Sequence, residues 1–255
     1  MTAELHPALA EAVLALADDE MILAHRDSEW TGHAPILEED IAFANIALDE
    51  MGHAFLWYRL VAELRGEDAE RYPDRLVFHR RSEDFRNVRL VEKPKGDWAH
   101  TIVRQFLFDT AEQVRLPVLA EHPWTSVAQT AAKILVEERY HDRHLRAWVR
   151  RLALGTPESR ERMQAALETL WPIAVQLFQP LPSEPVLADA GWWPASGPLG
   201  QAWQTRAAGI LEECGMAIPG VRASDDAGRH VHSEHLEPLV AEMQSVARLE
   251  PEGEW

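Results

Sequence analysis

Two short motifs, Glu50–His53 and Glu138–His141, each place a glutamate three residues before a histidine. In a helix, this spacing directs both side chains to the same face. Each motif also follows an acidic residue, Glu20 or Asp109, at nearly the same distance along the chain. The duplicated pattern supplies four carboxylates and two imidazoles, which is the ligand set of a two-iron or two-manganese centre inside a four-helix bundle.

The six residues interrupt helix faces that are otherwise apolar. Leu16 and Leu23 flank Glu20 at helical spacing. The stripes on the other three segments contain Phe43, Ile46, Trp57 and Leu60, then Ile102, Phe106, Gln113 and Leu116, and finally Ile134, Leu145 and Trp148. A carboxylate buried on such a face is costly unless it is paired or bound to metal. The pattern therefore favours a buried metal site, and a metal-free buried network of the same residues is the alternative.

The predicted ligands form two sets: Glu20, Glu50 and His53 for one ion, and Asp109, Glu138 and His141 for the other. Glu50 and Glu138 are the expected bridging ligands. Carboxylate oxygens combined with imidazole suit iron or manganese, and no organic cofactor is predicted. One imidazole per metal leaves open coordination positions, for which oxygen activation is the natural use.

The residues around the predicted ligands include candidates for orienting the two imidazoles. These candidates are Asp49, Gln113 and Asp142. Glu137 points about 100° away from Glu138 on a helical wheel, so we expect it to be solvated. Asp97 and His100 repeat the motif spacing, but they open a helix, and an acid in a first turn is ordinary helix-dipole chemistry.

Helical periodicity runs through most of the chain and predicts an all-α fold. The predicted helices span 7–29, 38–64, 97–120, 126–153, 157–178, 199–215 and 233–248. The first four are long enough for a ferritin-like four-helix bundle with one long crossover and additional C-terminal helices. One domain of residues 1–255 follows, in four parts: a first hairpin (1–64), the crossover (65–96), a second hairpin (97–153), and C-terminal helices with a Pro-rich loop (154–255).

The two predicted hairpins place their acidic residues at one level. The break around Pro35 lies midway between Glu20 and Glu50, and the break around Pro123 lies close to midway between Asp109 and Glu138. Residues equidistant from a tight turn lie side by side in an antiparallel pair. Two hairpins packed together therefore bring all six groups to the same depth.

Composition limits the classes of function. The formal net charge of −17 argues against nucleic acid as a partner. The sequence lacks an apolar run long enough to span a membrane and the basic start of a secretory signal. Cys214 is the single cysteine, which fits a reducing compartment. We expect a cytoplasmic protein with no membrane association.

Three further features allow two interpretations each. The cluster His230, His232 and His235 lies around the start of the last predicted helix, where capping and surface roles are favoured over metal binding. Trp192 and Trp193 lie in the Pro-rich stretch 178–200, which predicts a loop or a partner-facing arm. They either form an interface or pack under the loop against the bundle. Basic residues in the crossover could bind phosphates or an acidic partner, or form a solvated loop.

Several local motifs resemble the C subunits of the bacterial phenylacetyl-CoA epoxidases. They are Glu-Trp-Thr-Gly-His-Ala-Pro at 29–35, Glu-Asp-Ile-Ala at 39–42, Ala-Asn-Ile-Ala-Leu-Asp at 44–49, and Glu-Glu-Arg-Tyr-His at 137–141. The tail adds His-Ser-Glu-His-Leu-Glu-Pro at 232–238, Ala-Glu-Met-Gln at 241–244 and the terminal Trp255. The resemblance covers nearly the whole chain.

The resemblance implies a component of a cytoplasmic multicomponent monooxygenase that epoxidises the aromatic ring of phenylacetyl-CoA. A related A subunit would hold the catalytic di-iron centre and pair with this chain, and further components would complete electron delivery. C subunits usually lack several metal ligands, whereas this chain has all six. Three hypotheses follow: a C-type subunit with its own two-metal site, a metal-free structural scaffold, and an independent di-iron oxidase or oxygenase. Alone, the chain could form a homodimer.

Overall fold

The computed structural model describes residues 5–220 and 228–250. Within these ranges the chain is helical and contains no strand. The α-helices are α1 (His6–Ser28), α2 (Leu37–Arg65), α3 (Tyr72–Phe78), α4 (Arg89–Glu92), α5 (Trp98–Leu119), α6 (Thr125–Leu154), α7 (Pro157–Ala174), α8 (Glu184–Asp189), α9 (Ser196–Glu213) and α10 (Leu236–Met243). Short 3-10 turns occupy Ser82–Asp84 and Val175–Phe178.

Four long helices form the bundle. Helices α1 and α2 make the first hairpin, α5 and α6 make the second, and α2 also packs against α6. The first hairpin is antiparallel, since Arg65 at the end of α2 bonds Glu11 near the start of α1, with 3.0 Å between Nη2 and Oε1. Helices α7 and α9 cover α5. The all-α, ferritin-like prediction is therefore confirmed.

Local sequence signals set the helix boundaries. Gly66 ends α2 in the left-handed conformation, at φ +70°, which glycine adopts without a Cβ penalty. The Asp97 side chain caps α5 by accepting the backbone N–H of His100 at 2.9 Å. Thr156 and Ser159 form a reciprocal capping box at the start of α7. Asp97 and His100 thus serve the helix start, as the sequence indicated.

The crossover wraps around α1 and is fastened to buried acids of that helix. Asp18 accepts from Arg80, with 3.0 Å between Oδ2 and Nη1, and also from the hydroxyl of Tyr58 at 2.6 Å. Asp19 accepts from the backbone N–H of Val88 at 2.7 Å. Lys95 donates to the backbone oxygen of Glu29 at 2.9 Å. Arg80 and Lys95, two of the basic crossover residues, therefore stabilise the fold internally.

The Pro-rich stretch differs from its prediction as a segment without helix. It contains α8 at Glu184–Asp189, and α9 begins at Ser196 rather than at residue 199. Pro185 lies in the first turn of α8, where proline is compatible with a helix because the first N–H groups have no helical partner. Trp192 and Trp193 are partly buried against the bundle, and the backbone oxygen of Trp192 lies 2.7 Å from His122 Nε2. The structure thus favours packing under the loop.

No helix within the described residues is long and apolar enough to cross a membrane. The last predicted helix, 233–248, is shorter in the structure and spans Leu236–Met243. Cys214 is buried at the end of α9.

Candidate metal centre

A layer of polar residues divides the bundle core into two apolar clusters. One cluster contains Leu23, Ile46, Phe106 and Leu145, and the other contains Leu16, Trp57, Leu116 and Ile134. Each bundle helix therefore passes from one cluster to the other, and its predicted ligand lies at the crossing point. The predicted common level of the ligands is present in the structure, because the two hairpins have matched lengths on either side of their turns.

Two triads of potential ligands share one glutamate. The first is Glu20, Glu50 and His53, and the second is Glu50, Glu138 and His141. Within each triad, one donor atom from every residue lies within 4.8 Å of the others, and all of these residues are buried. The first triad is the predicted set. In the second, Glu50 takes the place that the sequence assigned to Asp109.

Both imidazoles direct Nδ1 toward the carboxylates. His53 Nδ1 lies 3.4 Å from Glu50 Oε2 and 3.7 Å from Glu138 Oε1. His141 Nδ1 lies 3.0 Å from Glu138 Oε1 and 3.6 Å from Glu50 Oε1. The ring centroids are 6.1 Å apart. Glu50 and Glu138 therefore both lie between the two imidazoles, the arrangement expected of bridging carboxylates.

Asp109 joins the cluster through a glutamine that the sequence patterns did not single out. Gln105, fully buried on α5, donates from Nε2 to Asp109 Oδ1 and to Glu50 Oε1, each at 2.8 Å. It lies four residues before Asp109, on the same helix face. Gln113, which the sequence suggested instead, is not among the hydrogen-bond partners of the predicted ligands.

A carboxylate holds the outer nitrogen of each imidazole. Glu137 Oε2 lies 2.8 Å from His53 Nε2, and Asp49 Oδ2 lies 3.2 Å from His141 Nε2. The expectation that Glu137 is merely solvated was wrong, because the groove between α2 and α6 brings His53 within its reach. Asp142 instead faces Arg206 at 3.4 Å. Hydrogen bonding at Nε2 leaves Nδ1 as the nitrogen available to a metal.

Several oxygen and nitrogen atoms of the cluster that could bind a metal ion are buried without a hydrogen-bond partner. They are Glu20 Oε2, Glu50 Oε2, His53 Nδ1, Asp109 Oδ2 and Glu138 Oε2. Such orphaned polar atoms are uncommon in folded proteins because each loses its hydration without compensation. Here they converge in one layer, and their carboxylate and imidazole chemistry matches iron or manganese. The residues present therefore fit a two-metal centre.

The electrostatics of the carboxylates also favour a cation. Burial and repulsion from Glu50 raise the pKa of Glu20 well above its ordinary value. Burial and repulsion from Glu138 do the same for the pKa of Asp109, and the pKa of Glu138 is raised for similar reasons. Burial opposes ionisation of Glu50 as well, but its close approach to Glu20 and His53 and the positive charge of the two imidazoles outweigh burial and lower its pKa to about 2.

The pKa values of both imidazoles are raised, although burial acts to lower them. Burial alone would lower the pKa of His53, but its contacts with Glu50 and Glu138 raise it to about 9. The pKa of His141 rises well above its ordinary value because Glu138 and Asp49 outweigh burial. In the absence of metal, protons on the imidazoles and on some carboxyl groups thus compensate the buried negative charge.

Comparison with known proteins identifies the family of the chain. The chain matches the phenylacetic acid catabolic protein family over residues 1–255. It belongs to that family. It is 37% identical over 248 residues to the C subunit of the Escherichia coli (strain K12) 1,2-phenylacetyl-CoA epoxidase, covering 97% of this chain and 99% of that protein. It is 25% identical over 164 residues to the A subunit of the same enzyme, covering 64% of this chain and 52% of that protein.

These findings confirm the resemblance that the local motifs indicated. In this member of the phenylacetic acid catabolic family, part of the C-terminal motif has a structural role. His232 Nδ1 lies 2.7 Å from Glu92 Oε1, and its Nε2 lies 3.0 Å from the backbone oxygen of Phe85. Ser233 also donates to Glu92, at 2.6 Å. The motif thereby fastens the C-terminal segment to the crossover.

The same cluster of histidines does not form a metal site in the structure. Among the described residues, neither group of potential metal ligands includes His230, His232 or His235. His235 immediately precedes α10. The interpretation favoured from sequence, capping and surface roles, fits only the exposed His230. His232 is largely buried against Glu92, and the His235 side chain makes no capping hydrogen bond.

A second residue that the sequence patterns did not single out, Glu112, lies beside the cluster. Glu112 follows Asp109 by three residues, is buried, and bonds Arg115. Burial raises its pKa to about 7, although Arg115 acts against the shift. A signal was present in the sequence, since Gln105, Asp109 and Glu112 follow helical spacing on one face.

Proposed function

We propose that this chain is a C-type subunit of a phenylacetyl-CoA epoxidase and that it holds a carboxylate-bridged centre for two metal ions. The likeness to the Escherichia coli C subunit over nearly the full length of both proteins supports the first part. The second part rests on one observation. The two buried triads share Glu50, and both imidazoles direct Nδ1 toward the shared carboxylates.

Each residue of the cluster has a role in this proposal. The first ion would take Glu20, Glu50 and His53, and the second would take Asp109, Glu138 and His141, with Glu50 and Glu138 bridging. Bound iron or manganese would supply Lewis acidity and oxygen chemistry. Gln105 positions Glu50 and Asp109, while the two apolar clusters on either side of the layer exclude bulk water.

The partner and the substrate follow from the two named relatives. We propose that the chain pairs with an A-type subunit, since it is similar to proteins named as the C and A subunits of one enzyme. Phenylacetyl-CoA would be the substrate of the assembled enzyme. With a metal centre of its own, this chain would contribute more than a structural scaffold.

Metal analysis of the purified protein tests the site directly. Protein from cells grown with added iron is expected to contain two iron or manganese ions per chain. A Glu161→Gln variant, altered at an exposed acid on α7, provides a matched control and should retain both ions. Metal at background level in the wild-type protein would eliminate the proposed centre and leave the metal-free scaffold.

A second experiment distinguishes a component of a complex from an independent oxidase. The tagged chain, co-expressed with an A-type subunit, is expected to co-purify with it in a stable complex. Oxygen uptake is then measured with phenylacetyl-CoA and a chemical reductant. Substrate-dependent uptake by this chain in the absence of the A-type subunit would favour an independent oxidase.

A further inference from the structure

The two triads of the candidate metal centre differ in how far their donor atoms are already hydrogen-bonded. In the first triad, Glu20 Oε2, Glu50 Oε2 and His53 Nδ1 are buried and have no hydrogen-bond partner among the residues that the structure describes. They also lie close together, since His53 Nδ1 is 3.9 Å from Glu20 Oε2 and 3.4 Å from Glu50 Oε2. Three free donor atoms therefore converge on the position of the first ion.

The donor atoms on the side of the second ion are engaged with neighbouring groups. His141 Nδ1 and Glu138 Oε1 are hydrogen-bonded to each other at 3.0 Å. Glu50 Oε1, which lies 3.6 Å from His141 Nδ1, accepts a hydrogen bond from Gln105 Nε2 at 2.8 Å. An ion at the second position must therefore replace hydrogen bonds that the structure already makes.

A single amide group of Gln105 holds two of the carboxylates on this side. Its Nε2 carries two hydrogens, and it donates to Glu50 Oε1 and to Asp109 Oδ1, each at 2.8 Å. Gln105 is fully buried, so bulk water does not compete for these bonds. Asp109 keeps an unpartnered Oδ2, but among the described residues it belongs to neither triad. Asp109 must therefore shift relative to Gln105 to complete the ligand set of the second ion.

Glu50 presents a different oxygen to each position. Its Oε2 lies 3.4 Å from His53 Nδ1 on the first side, and its Oε1 lies 3.6 Å from His141 Nδ1 on the second. An ion at the first position can bind Oε2 while the hydrogen bond from Gln105 to Oε1 is kept. Only an ion at the second position needs Oε1. The Gln105 amide thus opposes binding at one position and leaves the other open.

We infer that the centre takes up its two ions in a fixed order, the first at Glu20, Glu50 and His53, and that Gln105 makes the second position the weaker one. The inference rests on the proposed function, because it concerns the loading of the proposed centre with divalent iron or manganese. One hydrogen bond to a charged group changes an equilibrium constant by about tenfold. The second dissociation constant should therefore exceed the first by about tenfold or more.

Ordered loading gives the chain two metal-bound forms. At metal concentrations between the two dissociation constants, most chains would hold one ion, and the bridged pair would form only at higher concentrations. The chemistry proposed for a bridged pair would then be confined to chains that hold both ions. A centre with two equal, cooperating positions would pass directly from no ions to two.

Titration of the metal-stripped, full-length chain with Mn²⁺ measures the order. Equilibrium dialysis gives the dissociation constants, and electron paramagnetic resonance distinguishes an isolated Mn²⁺ from a spin-coupled pair. Isolated ions should predominate at one equivalent, and coupled pairs should appear with the second. A single dissociation constant, with coupled pairs already dominant at one equivalent, would overturn the inference and leave the proposed centre intact. No binding of Mn²⁺ or Fe²⁺ would refute the proposed centre itself.

Two ligand variants identify the position that fills first, since repulsion between the ions weakens the second step in either order. Glu20→Gln should weaken the first step by about tenfold or more, because losing a ligand costs at least as much as losing an outer partner. Asp109→Asn should weaken the second step and leave the first as in the wild type. The opposite pattern would overturn the proposed order.

A third variant, Gln105→Met, tests the role of the amide. Methionine has a similar length but cannot donate a hydrogen bond, so the ratio of the two dissociation constants should fall by about tenfold. Gln113→Met makes the same change on the same helix, at a glutamine whose Nε2 has no hydrogen-bond partner in the described part of the chain. This control should keep the wild-type ratio.

Circular dichroism verifies that both methionine variants are folded. A ratio that stays at the wild-type value in folded Gln105→Met would overturn the role of Gln105. The wild-type titration and the two ligand variants decide the order of loading whatever the stability of Gln105→Met.

Discussion

Glu137 Oε2 lies 2.8 Å from His53 Nε2, and Asp49 Oδ2 stands in the corresponding position 3.2 Å from His141 Nε2. Each of these acids immediately precedes the glutamate of one motif and supports the histidine of the other. The two motifs are therefore interlocked across α2 and α6. The functional unit in each helix is an acid followed by Glu-x-x-His.

Removing the charge of Glu137 should weaken the centre. Glu137→Gln keeps the size of the side chain but loses the carboxylate that holds His53, so metal affinity should fall about 10- to 100-fold. Competition with a coloured chelator measures the affinity. Glu161→Gln is the matched control, and an equal affinity in both variants would show that Glu137 does not support the imidazole.

Truncating Glu50 should affect both metal positions, because this residue belongs to both triads. Glu50→Ala is expected to lose most bound metal yet remain a folded bundle, since removing one of four crowded carboxylates relieves repulsion. Metal content and far-UV circular dichroism are measured together. Retention of two ions per chain would contradict the bridging role.

The stability of the metal-free protein should fall as pH rises. The pKa values of Glu20 and Asp109 are raised well above their ordinary values, that of His53 is raised to about 9, and that of His141 is also raised. The native state therefore binds more protons than the unfolded chain, so stability is lost as these groups deprotonate. The pKa of Glu50, lowered to about 2, has its effect only at lower pH.

Urea unfolding of the metal-free chain measures how its stability depends on pH. The urea concentration at the midpoint of unfolding should be lower at about pH 8.5 than at about pH 5.5. Metal should reduce the difference, because bound cations replace the protons. A variant combining Glu20→Gln with Asp109→Asn should show a shallower dependence than the wild type. A midpoint that rises with pH in the metal-free wild type would refute the charge balance described for the cluster.

A buried ion pair between α1 and α5 should contribute strongly to folding. Arg104 Nη2 lies 2.8 Å from Asp27 Oδ1, and both side chains are fully buried. Arg104→Met leaves Asp27 without its cation and should cost about 3 kcal/mol of unfolding free energy. Urea denaturation measures the loss. Adding Asp27→Asn should recover part of it, and equal stability of Arg104→Met and wild type would contradict the role of the pair.

Much of the ligand layer could be predicted from spacing. The 3.6-residue period fixes which residues share one helix face, so Glu50 and His53 had to project together. The apolar stripes required those faces to be buried, and the positions of the turns near Pro35 and Pro123 set the depth. These three constraints act within each hairpin separately. Each hairpin therefore brings its own predicted residues to the same level.

The residues missed or misjudged depend on relations between hairpins. A helical wheel correctly turns Glu137 away from Glu138, but it says nothing about the neighbouring helix, which brings His53 within 2.8 Å. Gln105 was overlooked for the same reason, since its contact with Glu50 joins α5 to α2. A local feature was misjudged as well. The proline content of the stretch 178–200 predicted no helix there, but α8 forms with Pro185 in its first turn.

The sequence by itself determined the helical class, the duplicated acid-and-histidine motifs and their burial, because these follow from local periodicity and the cost of buried charge. Only the tertiary structure decided that Glu50 is shared and that Asp49 and Glu137 support opposite imidazoles. Those features depend on the rotation and axial offset of one packed helix against another. Neither quantity is encoded in the spacing within a single helix.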